Sequence, residues 1–107
     1  MFKPVDWTVG TPASILIATG TQISGRFPRD GASTREVRYR LDSGNITSYI
    51  VYDDNGRAIK RVDLTGKAHA GVPTPHVVEY KHHQNPAGNI FVQAEKRVRP
   101  ARTDEIP

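Results

Sequence analysis

Between Lys60 and Tyr80 the chain gathers side chains that can move protons and hold charge: His69 and His76, the cations Lys60, Arg61 and Lys67, and the carboxylates Asp63 and Glu79. Imidazole gives or takes a proton near neutral pH. A guanidinium or ammonium can stabilise a developing phosphorane, and a carboxylate can orient an imidazole. That set suits metal-independent cleavage of RNA, which needs a base for the 2′-hydroxyl, an acid for the leaving 5′-oxygen and a cation at the phosphate. The catalytic candidates are therefore His69, His76, Arg61, Asp63 and Tyr80, the last as a donor to phosphate or a stacking partner for a base. Lys60, Lys67 and Thr74 are the candidate substrate contacts. Composition alone favours a plainer alternative, a solvated loop whose histidines do nothing.

The elements that would position these groups can be read from the spacing. Gly66, Gly71, Pro73 and Pro75 exclude a helix or a regular central strand between the histidines. The segments on either side, Lys60 to Leu64 and His76 to His82, are extended, so two strands feed a rigid polar loop. Alternation puts Ala58, Val62 and Leu64 on one face of the first strand and Arg57, Ile59, Arg61 and Asp63 on the other. On the second it puts His76, Val78, Tyr80 and His82 together, opposite Val77, Glu79, Lys81 and His83. His76 follows Pro75 directly and is expected at the surface, where truncation to alanine would cost less than about half a kcal/mol.

Other chemistries find less support. The chain has no cysteine, so neither a disulfide nor a thiolate metal site is available. His82-His83-Gln84-Asn85-Pro86 resembles the opening of a metal-dependent ββα nuclease, but no histidine follows to complete that site, and exposed strand-end residues are the better reading. No Walker sequence or G-x-G-x-x-G occurs. The expectation is therefore no metal and no cofactor. Fifteen Lys and Arg against eleven Asp and Glu give a net charge of +4, which mildly favours a polyanionic partner. No apolar run is long enough to span a membrane, and the first residues lack the apolar core of a signal peptide. Any export would depend on something outside this sequence.

Along the chain, residues 1–10 read as a loosely anchored lead-in with Trp7 as its one docking group. Thr11 to Gly20 has a capping residue, Pro at the first helical position and a terminal Gly, which suggests a short helix, although Ile15 and Ile17 would also allow a strand. Thr21 to Thr34 is a loop, and Arg26, Arg29 and Arg35 make a basic arm of it. Strands follow over Glu36 to Leu41, Ile46 to Tyr52, Arg57 to Leu64, His76 to His82 and Ile90 to Glu95, with Asn55-Gly56 as a hairpin signal. The tail from Lys96 is expected to fray. The fold class is α+β: a small antiparallel sheet of four to five strands with a short N-terminal helix. The chain divides into a lead-in, residues 1–24, and a main domain, residues 25–107.

Several stretches resemble the type 24 toxin domain found at the C-terminus of large bacterial contact-dependent inhibition and Rhs proteins. They are Gly25-Arg26-Phe27-Pro28, Tyr39-Arg40, Gly44 to Tyr49, Lys60 to Lys67, His69, Gly71 to His76, and the closing Arg99-Pro100 to Ile106-Pro107. The stretch around Thr74-Pro75-His76 is the specific one. The resemblance implies a polymorphic toxin delivered from its producer as part of a larger secreted or surface protein, acting in the cytoplasm of a neighbouring cell. It also implies a cognate immunity protein, which surface complementarity predicts to be acidic. Strand pattern and residue types point to the barnase, EndoU, colicin and RelE group of ribonucleases, with tRNA, rRNA or mRNA as substrate. Three alternatives stand beside this. An ADP-ribosyltransferase could use an Arg of Val37 to Arg40, but no Ser-Thr-Ser-like strand or Glu-x-Glu pair follows. A metal-dependent nuclease and a non-enzymatic basic binding module are the other two.

Overall fold

A computed structural model describes residues 2–93 and 97–107. These residues contain one α-helix, α1 (Ala13–Ala18), a 3-10 turn over Thr103–Glu105, and eight strands: β1 (Thr21–Gln22), β2 (Val37–Asp42), β3 (Asn45–Tyr52), β4 (Ala58–Asp63), β5 (His76–Glu79), β6 (Lys81–Gln84), β7 (Ile90–Gln93) and β8 (Val98–Pro100). The main sheet has six strands in the order β1-β2-β3-β4-β5-β8, and β6 and β7 form a separate two-stranded sheet. The α+β class and the helix agree with expectation; the strand count does not. α1 begins one residue later than the sequence suggests, because Pro12 keeps an extended backbone and serves as the cap.

The two extra strands in the main sheet come from segments without period-two patterning. Thr21 and Gln22 pair in parallel with Arg38 and Tyr39 inside the expected loop. The expected frayed tail instead supplies β8, which pairs His76 with Pro100 and Val78 with Val98. A strand of three residues is too short for alternation to show, and its partner is what orders it. The expected strand over Ile90 to Glu95 is seen as Ile90–Gln93; Glu95, like Lys96 at the start of the tail, lies outside the described residues.

The main sheet is covered on both faces. On the first, Val37, Tyr49, Val51, Val62 and Val77 pack under Ala13 and Leu16 of α1, with Trp7 and Leu64 at the margin. On the second, Ile50, Tyr52, Ala58 and Tyr80 pack under Phe27, Ala32 and Val92. A bulge decides which residues of β4 go where. Val51 pairs with Lys60 and Tyr52 with Ala58, leaving Ile59 as the extra residue. Ile59 therefore joins Val62 in the first core and Ala58 joins the second, the reverse of simple alternation. Another departure follows at Glu79, where β5 ends. Tyr80 donates its backbone N–H to Ile59 O at 3.0 Å, and the chain then leaves the sheet to form β6.

The loop between β1 and β2 is seated on the second face by close backbone contact. Ala58 N donates to Arg29 O at 2.9 Å, and Ala32 N to Gly56 O at 3.1 Å. At Gly56, where φ is +74°, a β-carbon would lie 1.9 Å from Ala32 O, so no other residue fits. The Asn-Gly turn thus joins two strands and also anchors the loop carrying Arg26, Phe27 and Arg29. Among the described residues no helix is long and apolar enough to cross a membrane.

Candidate functional site

The site is built across β4, β5 and the loop between them, on the face opposite α1. Register places Asp63 directly against His76, and Arg61 against Val78. Opposed residues of an antiparallel pair share a face, so Arg61, Asp63 and His76 meet there. Arg61 Nε donates to Asp63 Oδ1 at 3.0 Å and its terminal nitrogen to Oδ2 at 3.1 Å. The same Oδ2 lies 2.8 Å from His76 Nε2, while His76 Nδ1 donates to Val72 O at 3.0 Å. A carbonyl only accepts, so Nδ1 carries a hydrogen. Both imidazole nitrogens are thereby engaged.

The acceptor Val72 O is held by a tight turn. His69 and Val72 exchange backbone hydrogen bonds of 3.0 and 2.9 Å around Ala70 and Gly71. Those two residues have φ of 50° and 80°, the left-handed pair a two-residue primed turn requires. Thr74 Oγ1 donates to Gly66 O at 3.3 Å and closes the loop from the other side. The Thr74–Pro75 bond is cis. This turn brings the His69 ring edge-on to His76, with centroids 6.1 Å apart.

The structure therefore brings His69, His76, Arg61 and Asp63 together, but distributes their access differently from expectation. His76 is 1% exposed, and its ring is an internal strut rather than a surface group. His69 and Lys67 are exposed; Asp63 and Arg61 are half-buried. Tyr80 is buried beside Arg61, on the expected face. Burial raises its hydroxyl above the ordinary tyrosine value, against the pull of the Arg61 and Arg29 guanidinium charges. For Arg61, burial opposes the charged form, but Tyr80 and Asp63 outweigh it and hold the guanidinium more firmly protonated than usual.

Two expected placements are corrected. Lys60 is expected among the substrate contacts, but as the neighbour of Arg61 in β4 it points to the opposite face of the sheet. There it is 3% exposed and bonded to Asp6 and Glu105 at 2.8 and 2.9 Å. His82, expected at an exposed strand end, is buried. Its Nε2 lies 2.9 Å from Ala58 O and its ring packs edge-on against Phe2. Among the described residues no group of three or more His, Asp or Glu could hold a metal ion.

Because His76 is structural as well as central, His76→Ala should destabilise the fold by roughly 2–4 kcal/mol. It removes two buried hydrogen bonds and leaves a cavity under the sheet. Urea unfolding measures this directly, and an unchanged midpoint would contradict the role of strut.

Sequence reasoning missed Ser48 and Arg40, which extend the same row of residues. Ser48 pairs with Asp63 across β3 and β4, and Arg40 pairs with Ser48 across β2 and β3. Their signal lay in the register of strands already recognised, with Arg40 on the polar face of its own.

Comparison with known proteins gives one result. No curated protein and no solved structure gives a significant match. The sequence model of the family described as Bacterial toxin 24 matches residues 17–107, which takes in the last two residues of α1, the whole main sheet and every residue of the site. The chain belongs to the Bacterial toxin 24 family.

Proposed function

We propose that this toxin domain is a metal-independent ribonuclease in which His69 carries the proton and Arg61, oriented by Asp63, donates its remaining N–H groups to the reacting phosphate. The observation that carries this is the pairing of an exposed histidine, edge-on to His76, with a fixed Arg61–Asp63–His76 assembly. Asp63 and His76 hold Arg61 and the loop in place, so the two act as positioning residues. His69 takes the proton from the 2′-hydroxyl as O2′ attacks phosphorus. The P–O5′ bond breaks, and the imidazolium returns that proton to O5′. The products are a 2′,3′-cyclic phosphate and a free 5′-hydroxyl, with no net gain or loss of protons. Lys67, exposed beside His69, adds positive charge for the incoming strand.

The partner implied by a toxin is an immunity protein. We expect it to be acidic and to cover the face bearing Arg61 and His69. Action on RNA places the target in the cytoplasm of the recipient cell. Incubation of the purified domain with total RNA tests the reading. Cleavage should persist in excess chelator and leave 2′,3′-cyclic phosphate or 3′-phosphate ends. Ends bearing 5′-phosphate, or activity lost to chelator and restored by a divalent cation, would move the domain to the metal-dependent nucleases.

A further inference from the structure

Most arginines of this chain are neutralised by a carboxylate: Arg35 by Asp54, Arg38 by Glu36, Arg57 by Asp30, Arg61 by Asp63, Arg99 by Glu79 and Glu105, and Arg102 by Asp104. Arg40 is held just as firmly, but only by neutral groups. Its Nε and one terminal nitrogen donate to Ser48 Oγ at 3.0 and 2.8 Å, and the other terminal nitrogen donates to Gly25 O at 3.1 Å. The guanidinium lies 4.6 Å above the centroid of the Phe27 ring. Phe27 is itself fixed by packing against the second core. Among the described residues no carboxylate pairs with Arg40, nor with Arg26 and Arg29 of the loop that carries Phe27.

A guanidinium held rigid, half-exposed and without a counter-ion is prepared for an anion from outside. Three contacts leave two of its five N–H groups free. Its place in the sheet says which anion. Arg40, Ser48, Asp63 and His76 occupy neighbouring strands in one row. Strands lie about 4.8 Å apart, so Arg40 stands roughly 10 Å across the sheet from Asp63. That separation suits a second phosphate of a strand whose reacting phosphate sits at Arg61. The ring beneath Arg40 adds an aromatic surface beside that phosphate.

Resting on the ribonuclease reading, we infer that Arg40 and Phe27 form a second subsite, which binds a phosphate and its adjoining base on one side of the cleaved bond. Arg40 supplies the charge-assisted hydrogen bonds, and Phe27 both sets the guanidinium plane and offers an edge to the base. Single-stranded RNA would then cross the strands of the sheet rather than run along them.

Binding of a fluorescent 2′-O-methyl oligouridylate, read by anisotropy as salt is varied, tests this without cleavage, because the probe has no 2′-hydroxyl to attack. Arg40→Gln should weaken binding roughly tenfold. It should also lower the slope of log affinity against log salt by about 0.7, the loss of one phosphate contact. Arg40→Lys should keep the slope and lose part of the affinity, and Phe27→Leu should weaken binding at unchanged slope. Arg35→Gln, in the turn before β2 and paired with Asp54, should leave both values unchanged. If the parent binds while Arg40→Gln matches it in affinity and slope, the subsite is wrong and the ribonuclease reading stands. Failure of the parent to bind the probe at low salt would overturn both.

Discussion

Replacing His69 by alanine is expected to lower RNA cleavage by ~100- to 10,000-fold and to leave thermal unfolding unchanged. The ring is exposed and meets His76 edge-on, so little packing is lost with it. The backbone pair between His69 and Val72 does not need the imidazole and keeps the turn closed. The rate loss is that of a missing proton carrier. His76→Ala also lowers activity, but through the fold, and the two are told apart by their urea midpoints. A His69→Ala protein that cleaves at the parental rate would return proton transfer to some other group, and the Arg61–Asp63–His76 assembly would have to be read as purely structural.

The largest effect on stability should come from Lys60→Ala, roughly 3–5 kcal/mol. Loss of this ammonium leaves two carboxylates, those of Asp6 and Glu105, without their shared cation. Glu105 is the more deeply committed. Burial opposes its ionisation, yet hydrogen bonds from Arg99, the Arg102 backbone and Lys60 outweigh it and hold the carboxyl at about 2. A depressed carboxyl stabilises the fold fully above its unfolded value of 4.5 and ceases to do so as pH falls towards about 2. The shift corresponds to roughly 3 kcal/mol. The parent should therefore lose much of its stability between pH 4.5 and pH 2, whereas Lys60→Ala begins lower and falls less. Urea unfolding at pH 7 and pH 3 gives both numbers, and equal stability of the parent at the two values would refute the account.

What the sequence allowed, and what it withheld, divides along a physical line. Period-two stretches and turn residues marked β2, β3 and β4, because alternation and the Asn-Gly signal are local. The Arg61–Asp63–His76 grouping was also accessible, since it needs only adjacent strands in register. Access to solvent was not. His76 is buried because Val72 folds back to meet it, and Lys60 is buried because Asp6 and Glu105 reach it from distant parts of the chain. The bulge at Ile59 leaves no local mark beyond an apolar residue on the wrong beat, and it exchanges the faces of Ala58 and Ile59. β8 was unreadable for a similar reason: three residues gain their order from β5, while their own composition is that of a solvated tail.

The clamp on Lys60 has one more consequence, for the connectivity of the fold. Asp6 and Glu105 grip the same nitrogen from two sides, so the early and late segments of the chain are spatial neighbours. The path of the backbone is nearly a ring, fastened at a single buried atom. A short peptide joining residues near 6 and 105 would close that ring without disturbing the sheet. The chain could then be opened elsewhere, most simply at the exposed turn between β6 and β7, where Pro86 to Asn89 lie at the surface. Strand order along the polypeptide is in this sense a convention of where the ring is cut, while strand order across the sheet, which builds the site, would survive the rewiring.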